Sequence, residues 1–249
     1  MSLLALLASL LAQHAYPPRS RSRLAAFYGR LCLSAARKLN AGDRNSGVLA
    51  WIVLFGAALV PVALAAALAA AIHPAVLWLL DTAVLYASLR FLGTVKELAA
   101  IEAALREQKP GVAANLLAQW RGEPVGTDDA GALARMSAEQ ALREAHHGTF
   151  GPLFWFLLLP GPLGLVLYPL AHRAAQSWEQ VVEPDERDFG WFAGRAFHAI
   201  DWIPQRLTAF TFAVVGNFED ALTSLEGLLW RALIVWLIVF LLAAALQLA

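Results

Sequence analysis

Cysteine occurs once, at Cys32, and methionine only twice. A single thiol excludes an intramolecular disulfide framework and any zinc site built on paired cysteines. Charge is scarce as well: 15% of the 249 residues are Asp, Glu, Lys or Arg, against about 25% in soluble domains. Nineteen basic residues are balanced by nineteen acidic ones, so the strongly basic domain expected of a nucleic-acid binder is missing and no nucleic-acid partner is expected. A Walker loop, a dinucleotide fingerprint and a nucleophile elbow are also absent. What remains is apolar. Hydrophobic residues make up 59% of the chain, mean hydropathy is +0.57, and the apolar residues lie in long uncharged runs. These runs predict an all-α, polytopic helical membrane protein whose main partner is the lipid bilayer.

Ser2 to Ala12 is apolar but too short to cross, since a span needs about 20 helical residues. It also lacks a basic start and a clean cleavage signal, so it is expected to be a retained interfacial helix. Between Arg19 and Arg44 lie seven basic residues and one acid, which predicts that the N-terminal region stays cytoplasmic. About four spans are expected: Val48 to Ile72, Ala75 to Leu92, Phe150 to Ala171 and Ala232 to Ala249. The third is interrupted by Pro160-Gly161-Pro162 and reads either as a kinked span or as a re-entrant hairpin. If it crosses, the last span begins outside and ends inside. Residues 93–147 read as a soluble helical insert of three amphipathic helices within a single membrane domain, 1–249.

Four histidines, His146, His147, His172 and His198, invite a metal, but their spacing fits no zinc motif and no cysteine assists; no metal and no cofactor is expected. Asp201 is expected to cap a helix whose first turn holds Pro204. Arg206 either snorkels to the interface or grips a phosphate or carboxylate group. Asp81, an acid within a span, reads equally as a functional group or as packing.

Two segments are specific, GPLFWFLLLPGPLGLVLY from Gly151 to Tyr168 and HAIDWIPQRLTA from His198 to Ala209. Together they resemble the CobD/CbiB superfamily of bacterial inner-membrane proteins, whose members carry a PLFW segment, a glycine-proline break, a tyrosine and a later (N/D)W(I/V)PxRL stretch. Two functions are implied by that resemblance. One branch, adenosylcobinamide-phosphate synthase, joins an aminopropanol phosphate to adenosylcobyric acid. The other, AmpE, is a membrane modulator linked to β-lactamase induction.

The synthase pattern before PLFW is similar to ExxAENxxDG, and here EQALREAHHG keeps Glu139 and Gly148 but places Arg143, Glu144 and His147 where the second Glu, the Asn and the Asp stand. Ala175, Phe197 and His198 likewise stand where synthases carry acids. AmpE-type sequences also lack those acids and share the pattern of His198, Asp201, Trp202, Pro204, Arg206 and Leu207. GNFEDAL from Gly216 to Leu222 is similar to the AmpE continuation, although the stretch from there to the last span is short. The expectation is therefore a non-catalytic AmpE-like modulator or sensor with no assigned catalytic residue. It would bind a protein partner or small anionic ligand through Arg206, Asp201, His198, Trp202, Glu139, His147 and Tyr168. The alternatives are a divergent synthase of cobalamin biosynthesis and a small transporter.

Overall fold

The structure is a computed structural model describing residues 2–16, 21–181, 187–215 and 225–246. Eleven α-helices run through these residues with no strand among them: α1 (Ser2–Ala15), α2 (Arg21–Leu39), α3 (Arg44–Ile72), α4 (Pro74–Ser88), α5 (Phe91–Arg106), α6 (Pro110–Arg121), α7 (Ala130–Ala145), α8 (Gly151–Leu158), α9 (Leu163–Val181), α10 (Arg187–Val215) and α11 (Leu225–Leu246). A π-helical turn, His146–Phe150, joins α7 to α8.

Among the described residues, three segments are long and apolar enough to cross a membrane: Arg44–Ile72, Pro74–Arg106 and Glu226–Ala243. Asp43 starts α3 by accepting from the Ser46 amide at 3.0 Å. His73 does the same for α4, its Nδ1 accepting from the Ala75 amide at 3.1 Å, with Pro74 in the first turn where no donor is forfeited. Along α3 the side chains of Leu49, Ile52, Leu64, Leu68 and Ile72 are exposed, the arrangement of a helix whose outer face meets hydrocarbon rather than water.

The anticipated third span is not one helix. Leu159 to Pro162 break it, Gly161 takes a left-handed φ of 61°, and α8 and α9 fold back on each other. Their axes approach so closely that a side chain at Gly164 would strike the Trp155 backbone and one at Gly151 would strike the Tyr168 ring. About four expected spans thus become three long apolar helices and one helical hairpin, because a Pro-Gly-Pro turn removes two backbone donors and reverses the chain.

Residues 172–181 and 187–201 are helical and belong to α9 and α10. Asp201 corrects a second expectation. It lies inside α10, fourteen residues past Arg187, so it caps nothing, and Pro204 sits mid-helix. GNFEDAL and Arg19 lie outside the described residues.

Packing follows from these faces. One apolar cluster joins α1, α4, α8 and α11 through Leu6, Leu85, Phe150, Phe156, Trp236 and Phe240. Another joins α2, α3, α9 and α10 through Cys32, Phe55, Trp178 and Phe189. Helices α5 to α7, the expected insert, have a small core of their own around Ile101, Leu117 and Leu133, which accounts for their amphipathic period.

Candidate functional site

The π turn, the start of α9 and the middle of α10 bring polar side chains together. Tyr168 donates its hydroxyl proton to Asp201 Oδ1 at 2.6 Å. His146 lies 2.9 Å from the same oxygen through Nε2 and 3.0 Å from Thr208 Oγ1 through Nδ1. His147 Nδ1 lies 3.0 Å from the Tyr168 hydroxyl.

These contacts assign the donors. A carboxylate only accepts, so His146 donates to Asp201 through Nε2, with its Nδ1 facing the Thr208 hydroxyl. Tyr168 has spent its single proton on Asp201, so His147 must donate to it through Nδ1. That leaves the His147 Nε2 lone pair without a hydrogen bond among the described residues. The adjacent histidines therefore donate through opposite ring nitrogens.

Burial raises the Asp201 carboxyl, but hydrogen bonds from His146 and Tyr168 outweigh it and hold the group below its usual range. His147 is pushed down to about 3, first by burial and then by His172 and His146. His172, stacked on His147 with ring centroids 4.1 Å apart, is pushed down to about 4, chiefly by burial. Both imidazoles are neutral at physiological pH.

Ligand atoms of His146, His147 and Asp201 lie within 4.8 Å of one another, close enough to suggest a cation. The Tyr168 hydroxyl occupies the space between them, 2.6, 3.0 and 3.4 Å from Asp201, His147 and His146. A cation there would have to displace that hydroxyl, so the cluster fits a hydrogen-bond network and not a metal centre.

His147 and His172 form one wall of a cavity of about 470 Å³. Arg90, Lys96, Arg121, Arg143 and Arg173 also line it, against two acids, Glu123 and Glu144. Arg90 pairs with Glu144 at 3.4 Å and Arg121 with Glu123 at 3.9 Å. Lys96, Arg143 and Arg173 have no ion pair among the described residues, so the cavity carries a surplus of positive charge. Such a surplus attracts anions, with Lys96 and Arg143 exposed to solvent.

Of the residues singled out from sequence, the structure brings together Asp201, Tyr168 and His147. It sets the others apart. Arg206 is exposed, stacks 3.9 Å over the Trp202 ring and donates to the Trp202 carbonyl. Trp202, His198 and Glu139 are exposed, and none of these four lines the cavity. Asp81 is buried beside Gly161 in the hairpin turn, also away from the cavity. Sequence reading missed the basic ring because its members come from four separate helices and the turns beside them; the available signal was the i, i+3 placement of Glu144 and His147, with Arg143 beside them.

Residues 3–246 match the family model described as CobD/Cbib protein. The chain belongs to that family. It is 31% identical over 211 residues to a protein of Stutzerimonas stutzeri named Cobalamin biosynthesis protein CobD, covering 82% of this chain and 66% of that relative. A second relative of the same name, from Chromobacterium violaceum, is 39% identical over 92 residues, covering 36% of this chain and 28% of the relative. This CobD/Cbib chain thus spans just under two thirds of one relative's length and far less of the other's. No solved structure matches it. The expectation of a non-catalytic AmpE-like modulator is overturned, since both relatives are named for cobalamin biosynthesis. The absence of acids weighed too heavily there: Glu144 and the imidazole of His147 supply a carboxylate and a base to the cavity.

Proposed function

We propose that the chain is a membrane-bound synthase of cobalamin biosynthesis, a divergent adenosylcobinamide-phosphate synthase that forms an amide between a phosphorylated amino alcohol and a corrinoid carboxyl. The cation-rich cavity carries this reading. Lys96, Arg143 and Arg173 suit a phosphate, and the neutral His147 beside them suits an amine. The names of the two relatives support the same pathway. The bilayer is the expected lipid partner of the exposed apolar faces.

A cytoplasmic cavity follows from the same reading. With a basic N-terminal region inside, Arg44–Ile72 leaves, Pro74–Arg106 returns, the α8–α9 hairpin re-enters without crossing, and α11 leaves again. Anionic soluble substrates would then reach the cavity directly. The test is amide formation by membranes carrying this chain, supplied with aminopropanol phosphate, adenosylcobyric acid and a nucleoside triphosphate. Amide product is expected; its absence from correctly inserted protein would refute the reading.

A further inference from the structure

We propose that His147 receives the amine nucleophile through Nε2 and takes its proton, with Tyr168 and Asp201 as positioning residues that fix its tautomer. The proposal rests on the synthase reading above and assigns the proton acceptor within it. Four groups lining the cavity could take a proton: Glu123, Glu144, His147 and His172. Glu123 and Glu144 are tied to arginines. The His172 ring is stacked on His147, and its Nδ1 is buried without a partner, so nothing sets its tautomer. Only His147 has one ring nitrogen held as a donor and the other left as a bare acceptor in a wall of the cavity.

The step balances as follows. A nucleoside triphosphate converts the corrinoid carboxyl to an acyl phosphate; the amine nitrogen attacks its carbon, the new C–N bond forms, the C–O bond to phosphate breaks, and inorganic phosphate leaves. The proton shed by nitrogen passes to His147 Nε2 and then to solvent. The substrate's own phosphate end is held by Lys96, Arg143 and Arg173, which line the same cavity as His147 and so hold the amine within its reach.

His147 is faced by His146 on its own turn, Arg143 from α7, Arg90 ahead of α5, Tyr168, His172 and Arg173 from α9, and Asp201 from α10. Burial and its cationic neighbours keep the lone pair vacant in the empty cavity. A bound phosphate opposes that effect, so basicity rises as the substrate arrives.

The test uses the full chain in detergent with 15N-labelled histidine. The resonance lost in His147→Ala should report an Nδ1–H, unprotonated Nε2 imidazole at neutral pH, and Tyr168→Phe should admit the other tautomer. An Nε2–H or doubly protonated ring in the unsubstituted protein would overturn the proposal. In the amide-forming assay, His147→Ala should lower kcat about 10²–10⁴-fold with little change in KM for aminopropanol phosphate, and added imidazole should restore part of the rate. If the unsubstituted chain makes amide and His147→Ala keeps its kcat, this assignment fails and the synthase reading stands. If the unsubstituted chain makes none, both fail. Should His147→Ala not fold, Tyr168→Phe decides: an unaltered tautomer and kcat would refute the assignment.

Discussion

Trp155 Nε1 donates to the Ile200 carbonyl at 3.2 Å, and Ile200 is the residue four before Pro204 in α10. A proline inside a helix has no N–H to offer the carbonyl four residues earlier. The indole of the PLFW segment fills that gap, so the two segments that identify the family are joined by one hydrogen bond across the α8–α10 contact. Trp155→Phe should leave the carbonyl without its donor and cost about 1–3 kcal/mol. Pro204→Ala restores an N–H at that position, so the loss should shrink in the Trp155→Phe, Pro204→Ala double variant. Thermal unfolding of the four proteins in detergent gives the coupling, and additive losses would contradict it.

Asp201 links stability to pH. Its folded carboxyl titrates below the usual value, so it contributes stability above the ordinary carboxylate range, about pH 4, and that contribution is lost as pH falls through the lower folded value. Asp201→Asn should therefore lie below the unsubstituted protein in Tm at neutral pH and converge with it in acid. Parallel Tm curves from pH 7 downward would show that the carboxylate carries no such load.

Arg206 and Arg143 should behave differently. Arg206 stacks on its own helix neighbour Trp202 at the surface, whereas Arg143 lines the cavity without an ion pair among the described residues. Calorimetry with aminopropanol phosphate should show roughly tenfold weaker binding in Arg143→Ala, the loss of about one charge-assisted contact, and no loss in Arg206→Ala. The reverse order would move the anion site to the α10 surface.

Helix periodicity made much of this fold readable in advance. The apolar run of α3 and the amphipathic repeats of α5 to α7 depend on local sequence, and the apolar positions of α5 to α7 meet around Ile101, Leu117 and Leu133. The hairpin was left open because twenty apolar residues read alike whether they cross or fold back; Gly151 and Gly164, which let α8 and α9 touch, acquire that meaning only once the facing Tyr168 and Trp155 are placed. Asp201 was misread as a cap because Pro204 suggested a helix start, and the donor that lets α10 continue comes from Trp155, distant in sequence. The cavity's cations belong to different helices, and no local pattern joins them.

In the proposed topology the α8–α9 hairpin keeps both ends of residues 150–171 on one side of the membrane. Ser137 is only 2% exposed and would report poorly, whereas Arg135 and Glu179 are exposed. Single cysteines there, in a Cys32→Ser background, should both be protected from an impermeant thiol reagent in intact cells and both react with a permeant one. Labelling of Glu179→Cys alone by the impermeant reagent would mean that residues 150–171 cross the membrane.

The most direct test of the synthase reading is complementation of a bacterial strain lacking adenosylcobinamide-phosphate synthase and supplied with adenosylcobyric acid. This chain, expressed and detected in the membrane fraction, should restore cobamide synthesis, and Arg143→Ala at equal abundance should restore less. Membrane-inserted protein that restores none would contradict the assignment to amide formation in cobalamin biosynthesis.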